Sequence, residues 1–281
     1  MVDANGMKAG AATGGTDEAL DVVYGPPFAG VRYFTTTRAG GVSEGPHASF
    51  NLGWHAGDAA AAVAENRRRL HAVLPAEPLW LRQVHGVRVI DADAAAAPHP
   101  DEPEADAAIT VTPGRVLAVM TADCLPVLIV DAAGRALGVA HAGWRGLANG
   151  VLEQTVAALR RALPQASDWR AWIGPGIGPE AFEVGADVVA AFAPDGDAAR
   201  ACFQPHPTHP DKWLADLPAL AALRLRRAGI SQVHLSGLCT VADPARFFSY
   251  RRDGQTGRMA LLAWLDRPVE AGPETTPDYP H

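Results

Sequence analysis

Short apolar runs alternate with amphipathic stretches along most of the chain. A β-branched and aromatic run predicts a strand over 31–37, followed by a turn at Gly40 and Gly41. The spacing of apolar residues predicts a helix over 59–74, with Asp58 as its N-cap. Three strands follow in quick succession, over 116–121, 126–130 and 136–141, the last two joined by a turn at 131–134. A second helix is expected over 148–163, because Val151, Leu152, Val156, Leu159 and Leu163 fall on one face. A strand over 170–173 runs into a Gly-Pro loop at 174–179. A third helix is expected over 213–228, ended by Gly229, with further strands over 233–238 and 259–264. Strands outnumber helices, and several connections are too short for βαβ crossovers. An α+β fold with mixed or antiparallel sheets is therefore expected.

Residues 1–24 and 269–281 are rich in Gly, Pro, Ala, Thr and acids and have no apolar period. Such composition cannot bury enough apolar surface to order itself. The reading is a disordered extension over 1–24, one domain over 25–268 and a disordered tail over 269–281. The stretch 92–104 reads as a surface loop within that domain, because the motifs on its two sides cooperate. No window has the ~18–20 uncharged apolar residues of a membrane helix, and the N-terminus lacks the pattern of a signal peptide. A cytoplasmic location without membrane contact is expected.

Composition narrows the chemistry. The 281 residues carry 24 basic and 31 acidic side chains, a formal charge of −7, which argues against a nucleic-acid partner held by bulk charge. Three cysteines, Cys124, Cys202 and Cys239, are too few and too odd for a disulfide scaffold and fit a reducing compartment. Ten histidines accompany them.

Three segments bring a metal-competent side chain to the end of an apolar run: QVHG at His85, TADC at Cys124 and AHAGWRG at His141. Two imidazoles and a thiolate form a suitable three-ligand set for zinc, with a fourth position open. The spacing matches no zinc-finger pattern, and from spacing alone a structural cysteine with two hydrogen-bonded core histidines is the favoured reading. Asp123 is the nearest carboxylate. It shares a cleft with Cys124 only if the strand ends or bulges there, since strand neighbours point to opposite faces. Otherwise Asp123 fixes the turn. Glu183 is a second carboxylate candidate. Gln83, two residues before His85, lies on the same face and could bond substrate. The common zinc-deaminase arrangement of His-x-Glu with Pro-Cys-x-x-Cys is absent.

An anion would be received locally. Arg38 before Gly40 and Gly41 offers a guanidinium beside exposed backbone N–H groups, or else serves as a turn residue in an ion pair. Ser49 and Asn51 add neutral donors, and Arg145, four residues after His141, adds a second cation. Cys239 reads as core and Cys202 as incidental. His206 and His209 form an i, i+3 pair in a Pro-rich loop, where a second metal site is the less favoured reading. Phe247 and Phe248, followed by Arg251 and Arg252, mix aromatics with cations, and such aromatics more often belong to the core.

The segments QVHG, TADCLPVLIVD, AHAGWRGL, IGPGIGPEAFEVG, GLCTVADPARFFSYRRDGQTGRMA and FTTTRAGG...SFNLG closely resemble the YfiH family. That family is also described as a polyphenol-oxidase or laccase-domain family, as the peptidoglycan editing factor PgeF and as purine nucleoside phosphorylase. The resemblance runs in order from about Phe34 to Leu265. It implies a single-domain, mixed-sheet α/β sandwich of the CNF1/YfiH-like type, with a Zn2+ site at His85, Cys124 and His141. It implies phosphorolysis of adenosine, inosine, guanosine and methylthioadenosine, together with deamination of adenosine. Purine nucleosides and phosphate are then the partners, and the protein is a monomer or weak homodimer. Three other readings compete with it: a metal-free cysteine hydrolase built on Cys124 and His141, a peptidoglycan-editing amidase, and a zinc-storing or nucleoside-sensing module. A copper oxidase is disfavoured, because no His-x-His pair occurs.

Overall fold

The computed structural model describes residues 20–94 and 102–266. The elements in chain order are β1 (Val22–Val23), β2 (Val31–Thr36), α1 (Ala60–His71), β3 (Val89–Asp91), β4 (Ala107–Thr110), β5 (Leu117–Thr121), β6 (Leu125–Asp131), β7 (Leu137–Ala142), α2 (Trp144–Ala148), α3 (Val151–Ala162), β8 (Trp169–Ile173), β9 (Glu183–Val184), α4 (Ala186–Phe192), α5 (Gly196–Arg200), β10 (Phe203–Pro205), β11 (Trp213–Ala215), α6 (Leu217–Arg227), β12 (Gln232–Leu235), α7 (Tyr250–Asp253) and β13 (Met259–Leu265).

Two sheets stack face to face. One has the order β1-β2-β13-β5 and is antiparallel throughout. The other has the order β12-β8-β6-β7-β4-β3, with parallel pairs at its two edges, β12 with β8 and β3 with β4. A three-stranded ribbon, β10-β11-β9, stands apart from both. The expected mixed-sheet α+β sandwich is therefore what the chain forms. Among the described residues, no helix is long and apolar enough to cross a membrane.

The apolar runs of β6 and β7 are continuous because both faces of their sheet are covered. Along β6, Leu125, Val127 and Ile129 pack toward α3 and α6, where Leu152, Val156, Leu159, Leu220 and Leu225 meet them. Leu128 and Val130 point the other way, onto Val119 of β5 and Leu261 of β13. Each such side chain contributes about 1.5–3 kcal/mol by leaving water. Trp172 of β8 lies fully buried between the sheets, its ring 5.2 Å from that of Tyr33. The outer face of the first sheet is closed by Phe50, Leu52 and Leu70, which cover Phe34, Ala118 and Leu262.

Several boundaries differ from the expectation. Residues 20–24 do not belong to a disordered extension: Val22 and Val23 pair with Thr36 and Thr35. Residues 1–19, 95–101 and 267–281 lie outside the described residues. The first helix starts at Ala60, and Asp58 does not cap it. The Asp58 carboxylate instead accepts from Ser43 Oγ at 2.6 Å and Asn51 Nδ2 at 3.1 Å. The helix expected over 148–163 is α3, Val151–Ala162, which starts after Gly150, whose φ of 97° parts it from the short helix α2, which the sequence pattern does not predict. The helix expected over 213–228 begins as the strand β11, and α6 starts only after Asp216, whose carboxylate caps Ala219 N–H at 2.8 Å.

Candidate metal centre

The chain passes from one sheet to the other between β5 and β6, within the tight turn at 122–124. Asp123 takes a φ of 91° there, an uncommon conformation for a residue other than glycine. Its carboxylate holds the turn in place: Oδ1 accepts from Thr240 Oγ1 at 2.6 Å and Oδ2 from Arg251 N–H at 2.6 Å. The strand ends at Thr121, before Asp123, as a shared cleft requires, and both carboxylate oxygens are engaged in fixing the turn. Cys124 follows, half-buried, with its thiol at the cleft.

His141 projects from the end of β7 and is buried, while His85 lies in an exposed turn ahead of β3. One buried carboxylate organises both. Asp106 Oδ1 accepts from His141 Nδ1 at 2.8 Å and from His85 N–H at 2.9 Å. Asp106 Oδ2 accepts from Gly86 N–H at 2.7 Å and Val84 N–H at 3.2 Å. Three successive backbone N–H groups thus converge on one side chain, which holds His85 at a φ of 60°. Burial opposes the charge of Asp106, but the His141 bond and those backbone donors outweigh it and hold its carboxyl below the usual range. With Nδ1–H held by Asp106, Nε2 is the nitrogen that would give its lone pair to a metal ion, on losing its own proton.

The donor atoms of His85, Cys124 and His141 all lie within 4.8 Å of one another. Cys124 Sγ is 3.8 Å from His85 Nε2, close to the about 3.6 Å that tetrahedral zinc with Zn–S near 2.3 Å and Zn–N near 2.0–2.1 Å would set. The two imidazoles meet edge to face, centroids 4.9 Å apart at 75°, so their in-plane lone pairs can converge. Burial pushes against the Cys124 thiolate, yet His141 and His85 win and bring its pKa down to about 6. Burial likewise opposes a charged His141, which the thiolate and Asp106 raise to about 9. The group fits a metal ion by donor chemistry, distance and second partner.

Close packing keeps the group small. A Cβ on Gly143 would come 2.8 Å from His85 Cδ2 and 2.9 Å from Cys124 Sγ. Gly143→Ala is therefore expected to spread the donors and weaken metal binding by about tenfold or more, by analogy with the loss of an outer-shell contact. A competition titration with a metallochromic chelator checks this. Wild-type affinity in that variant would contradict the packing argument.

A second group, Glu183, His206 and His209, also has metal-competent donors in proximity. Its geometry is different. The two imidazoles stack at 4.4 Å and 13°, so their in-plane lone pairs run side by side. Glu183 Oε2 instead receives a 2.6 Å bond from His209 Nδ1, and His206 Nδ1 accepts from Thr208 and His209 N–H. This arrangement locks a loop and engages the Glu183 carboxylate with His209 and His206.

The cleft beside His85, Cys124 and His141 has a volume of about 420 Å³, within the about 300–1,000 Å³ typical of small-molecule sites. Leu81, Met120, Ile177, Phe182 and Tyr250 form its apolar walls, and Arg82, Arg251 and Arg258 also line it. Gln83 lines it too, but its amide is occupied on both ends, giving 2.8 Å to Met120 O and taking 2.7 Å from Met120 N–H. The other residues expected to bind substrate or phosphate are elsewhere. Arg38 donates to Ala48 O and Pro244 O, both at 2.9 Å, and lies over the Phe248 ring. Ser49 Oγ bridges Gly41 N–H and Arg38 O. Asn51 is fully buried and accepts from Gly53 N–H and Arg258 N–H. Arg145 is exposed at the start of α2, over the Trp144 ring. Sequence reasoning missed Asp106 and Arg258. The only signal for each is a charged residue immediately before an apolar run.

The sequence model of the family described as multi-copper polyphenol oxidoreductase laccase matches residues 32–266. The chain is 50% identical over 250 residues to a purine nucleoside phosphorylase of Xylella fastidiosa, covering 85% of this chain and 94% of that protein. It is 48% identical over 243 residues to the purine nucleoside phosphorylase YfiH of Escherichia coli, covering 85% and 96%. Among solved structures, the Neisseria meningitidis protein NMB0706 superposes with a TM-score of 0.79 at 46% identity, covering 88% of this chain and 99% of that one.

Proposed function

The chain belongs to the YfiH family, within the multi-copper polyphenol oxidoreductase laccase description, and from that membership we propose that it is a zinc-dependent purine nucleoside phosphorylase that also deaminates adenosine. The observation that carries this reading is the His85, Cys124 and His141 group on the wall of a nucleoside-sized cleft, in a chain half identical to proteins named for that activity. The family description names copper. Among the described residues, however, the donors form one convergent group of three, and a multicopper centre needs many more imidazoles.

In phosphorolysis the C1′–N9 bond of the nucleoside breaks, a phosphate oxygen bonds to C1′, and the purine leaves with a proton on its ring nitrogen. The apolar wall of Met120, Ile177, Phe182 and Tyr250 would take the flat purine face. Asp106 fixes the tautomer of His141 and the turn of His85, so that both imidazoles are preorganised. Gln83 ties the end of β5 to the His85 segment and keeps the floor of the cleft rigid. A zinc ion held by the group would supply Lewis acidity to the reacting part of the substrate. Substrates are adenosine, inosine, guanosine and methylthioadenosine.

Metal-analysed protein incubated with adenosine, with and without phosphate, tests the reading. Adenine and ribose 1-phosphate are expected only with phosphate, and inosine in either case. Absence of adenine from fully metal-loaded protein in phosphate would overturn the phosphorylase assignment. Activity that persists after metal removal would favour a thiolate hydrolase built on Cys124 and His141.

A further inference from the structure

Resting on the phosphorolytic reading and deepening it, we propose that Arg258 holds the phosphate co-substrate. Three arginines line the cleft. Arg82 is exposed and pairs with Glu104 at 2.7 Å. Arg251 is exposed too, donating Nη1 to Glu183 O at 2.8 Å with its guanidinium over the Phe182 ring. Of the three, only Arg258 is half-buried. Arg258 forms no ion pair with any described residue. Its Nη1 donates to Thr256 O at 2.9 Å and to Gly257 O at 3.0 Å. Its Nε and Nη2 donate to none of the described residues. These two N–H groups form one edge of the guanidinium, the parallel pair that matches two oxygens of a phosphate.

The position is built. Asn51 Oδ1 accepts from Arg258 N–H at 2.8 Å and from Gly53 N–H at 2.9 Å, joining the two segments that flank the side chain. Asn51 is itself fixed by Asp58. Gly53 leaves room for the arginine stem, since a Cβ there would come 2.7 Å from Arg258 Cγ. Arg258 is thus a half-buried cation on the cleft wall, its backbone held by Asn51, with the Nε and Nη2 edge unpartnered among the described residues. Burial works against its charge, while Cys124 and Asp123 nearby favour it, which sets it electrostatically beside the metal-competent group. Water-facing arginines are abundant in this chain. A preorganised one without a carboxylate in a nucleoside-sized cleft is the arrangement that receives an anion. It also gives the SFNLG segment a role: Asn51 and Gly53 act through Arg258 and do not touch the anion themselves.

Inorganic phosphate is the probe, read in two ways on wild-type protein, R258Q and R258K. Phosphate should raise the wild-type Tm, because it binds the folded state alone, and should leave that of R258Q unmoved. In turnover, the KM for phosphate should rise about tenfold or more in R258Q, the scale of a lost charged hydrogen-bond pair, with a smaller change in the KM for nucleoside. R258K keeps the charge and the stem but loses the fork, so its KM for phosphate should fall between the two. It serves as the test where R258Q fails to fold. Undiminished phosphate stabilisation and an unchanged phosphate KM in the variants would overturn the assignment while phosphorolysis stands. A wild-type Tm raised by phosphate, lost in R258Q, without nucleoside cleavage would sink the phosphorolytic reading and keep the anion site. No response of the wild-type protein to phosphate, in Tm or turnover, would overturn both.

Discussion

Cys124→Ala protein is expected to fold, to retain only a trace of metal after dialysis, and to lose turnover. The thiol is the soft donor of the group and the only anionic one, so its removal leaves two neutral imidazoles. The loss of affinity should exceed the about 10–100-fold typical of outer-shell partners. The fold should survive, because Cys124 is only half-buried and Asp123 beside it holds the turn through Thr240 and Arg251. A stability change of about 1 kcal/mol is the scale for such a substitution. Metal content by mass spectrometry, a thermal melt and the adenosine assay read the three outcomes separately. Full metal occupancy in the variant would remove Cys124 from the donor set.

Asp106→Asn should be the second most damaging change, although Asp106 touches no solvent and faces the cleft only through others. The carboxylate accepts from four donors, two on each oxygen. An amide must turn an NH2 toward one of those pairs. Either Val84 and Gly86 or His85 and His141 then face a donor instead of an acceptor. The lost charged hydrogen bonds are worth about 1.5–3 kcal/mol each, and the buried conflict adds to this. Urea unfolding should show a destabilisation of about 2–5 kcal/mol. Metal affinity should fall about 10–100-fold as His141 loses its fixed tautomer and the His85 turn loosens. A variant with wild-type stability and metal affinity would contradict the clamp. A loss of stability with affinity intact would confine Asp106 to folding.

The donor triad was legible because each member lies where an apolar run meets a turn, a pattern that local chemistry imposes. The supporting residues were not. Asp106 follows Asp101, Glu102 and Glu104 in a stretch whose composition is that of a surface loop. Only pairing of β4 with β7 takes it inside, beside His141. Arg258 lies among many arginines, and what sets it apart is a half-buried position fixed by Asn51, which no sequence displays. Arg38 is the opposite case. Its loop position suggests an anion cradle, while two of its N–H groups, on Nε and Nη1, are given to Ala48 O and Pro244 O, which come from segments far apart in the chain. The helix boundaries at Gly150 and Asp216 carried readable signals, a glycine and a capping carboxylate before Pro218. A continuous apolar period overrode both.

Cys124 leads into β6, His141 closes β7 and His85 leads toward β3, so all three donors belong to the six-stranded layer. A cation bound there would be a clasp across three segments of that layer. Occupancy and the cohesion of those segments then become a single linked equilibrium: loading the ion tightens the clasp, and anything that draws the segments apart lowers the affinity by the same factor. Core substitutions beneath those strands, such as at Leu128 or Val139, should therefore register as leakage of metal before they register as loss of fold.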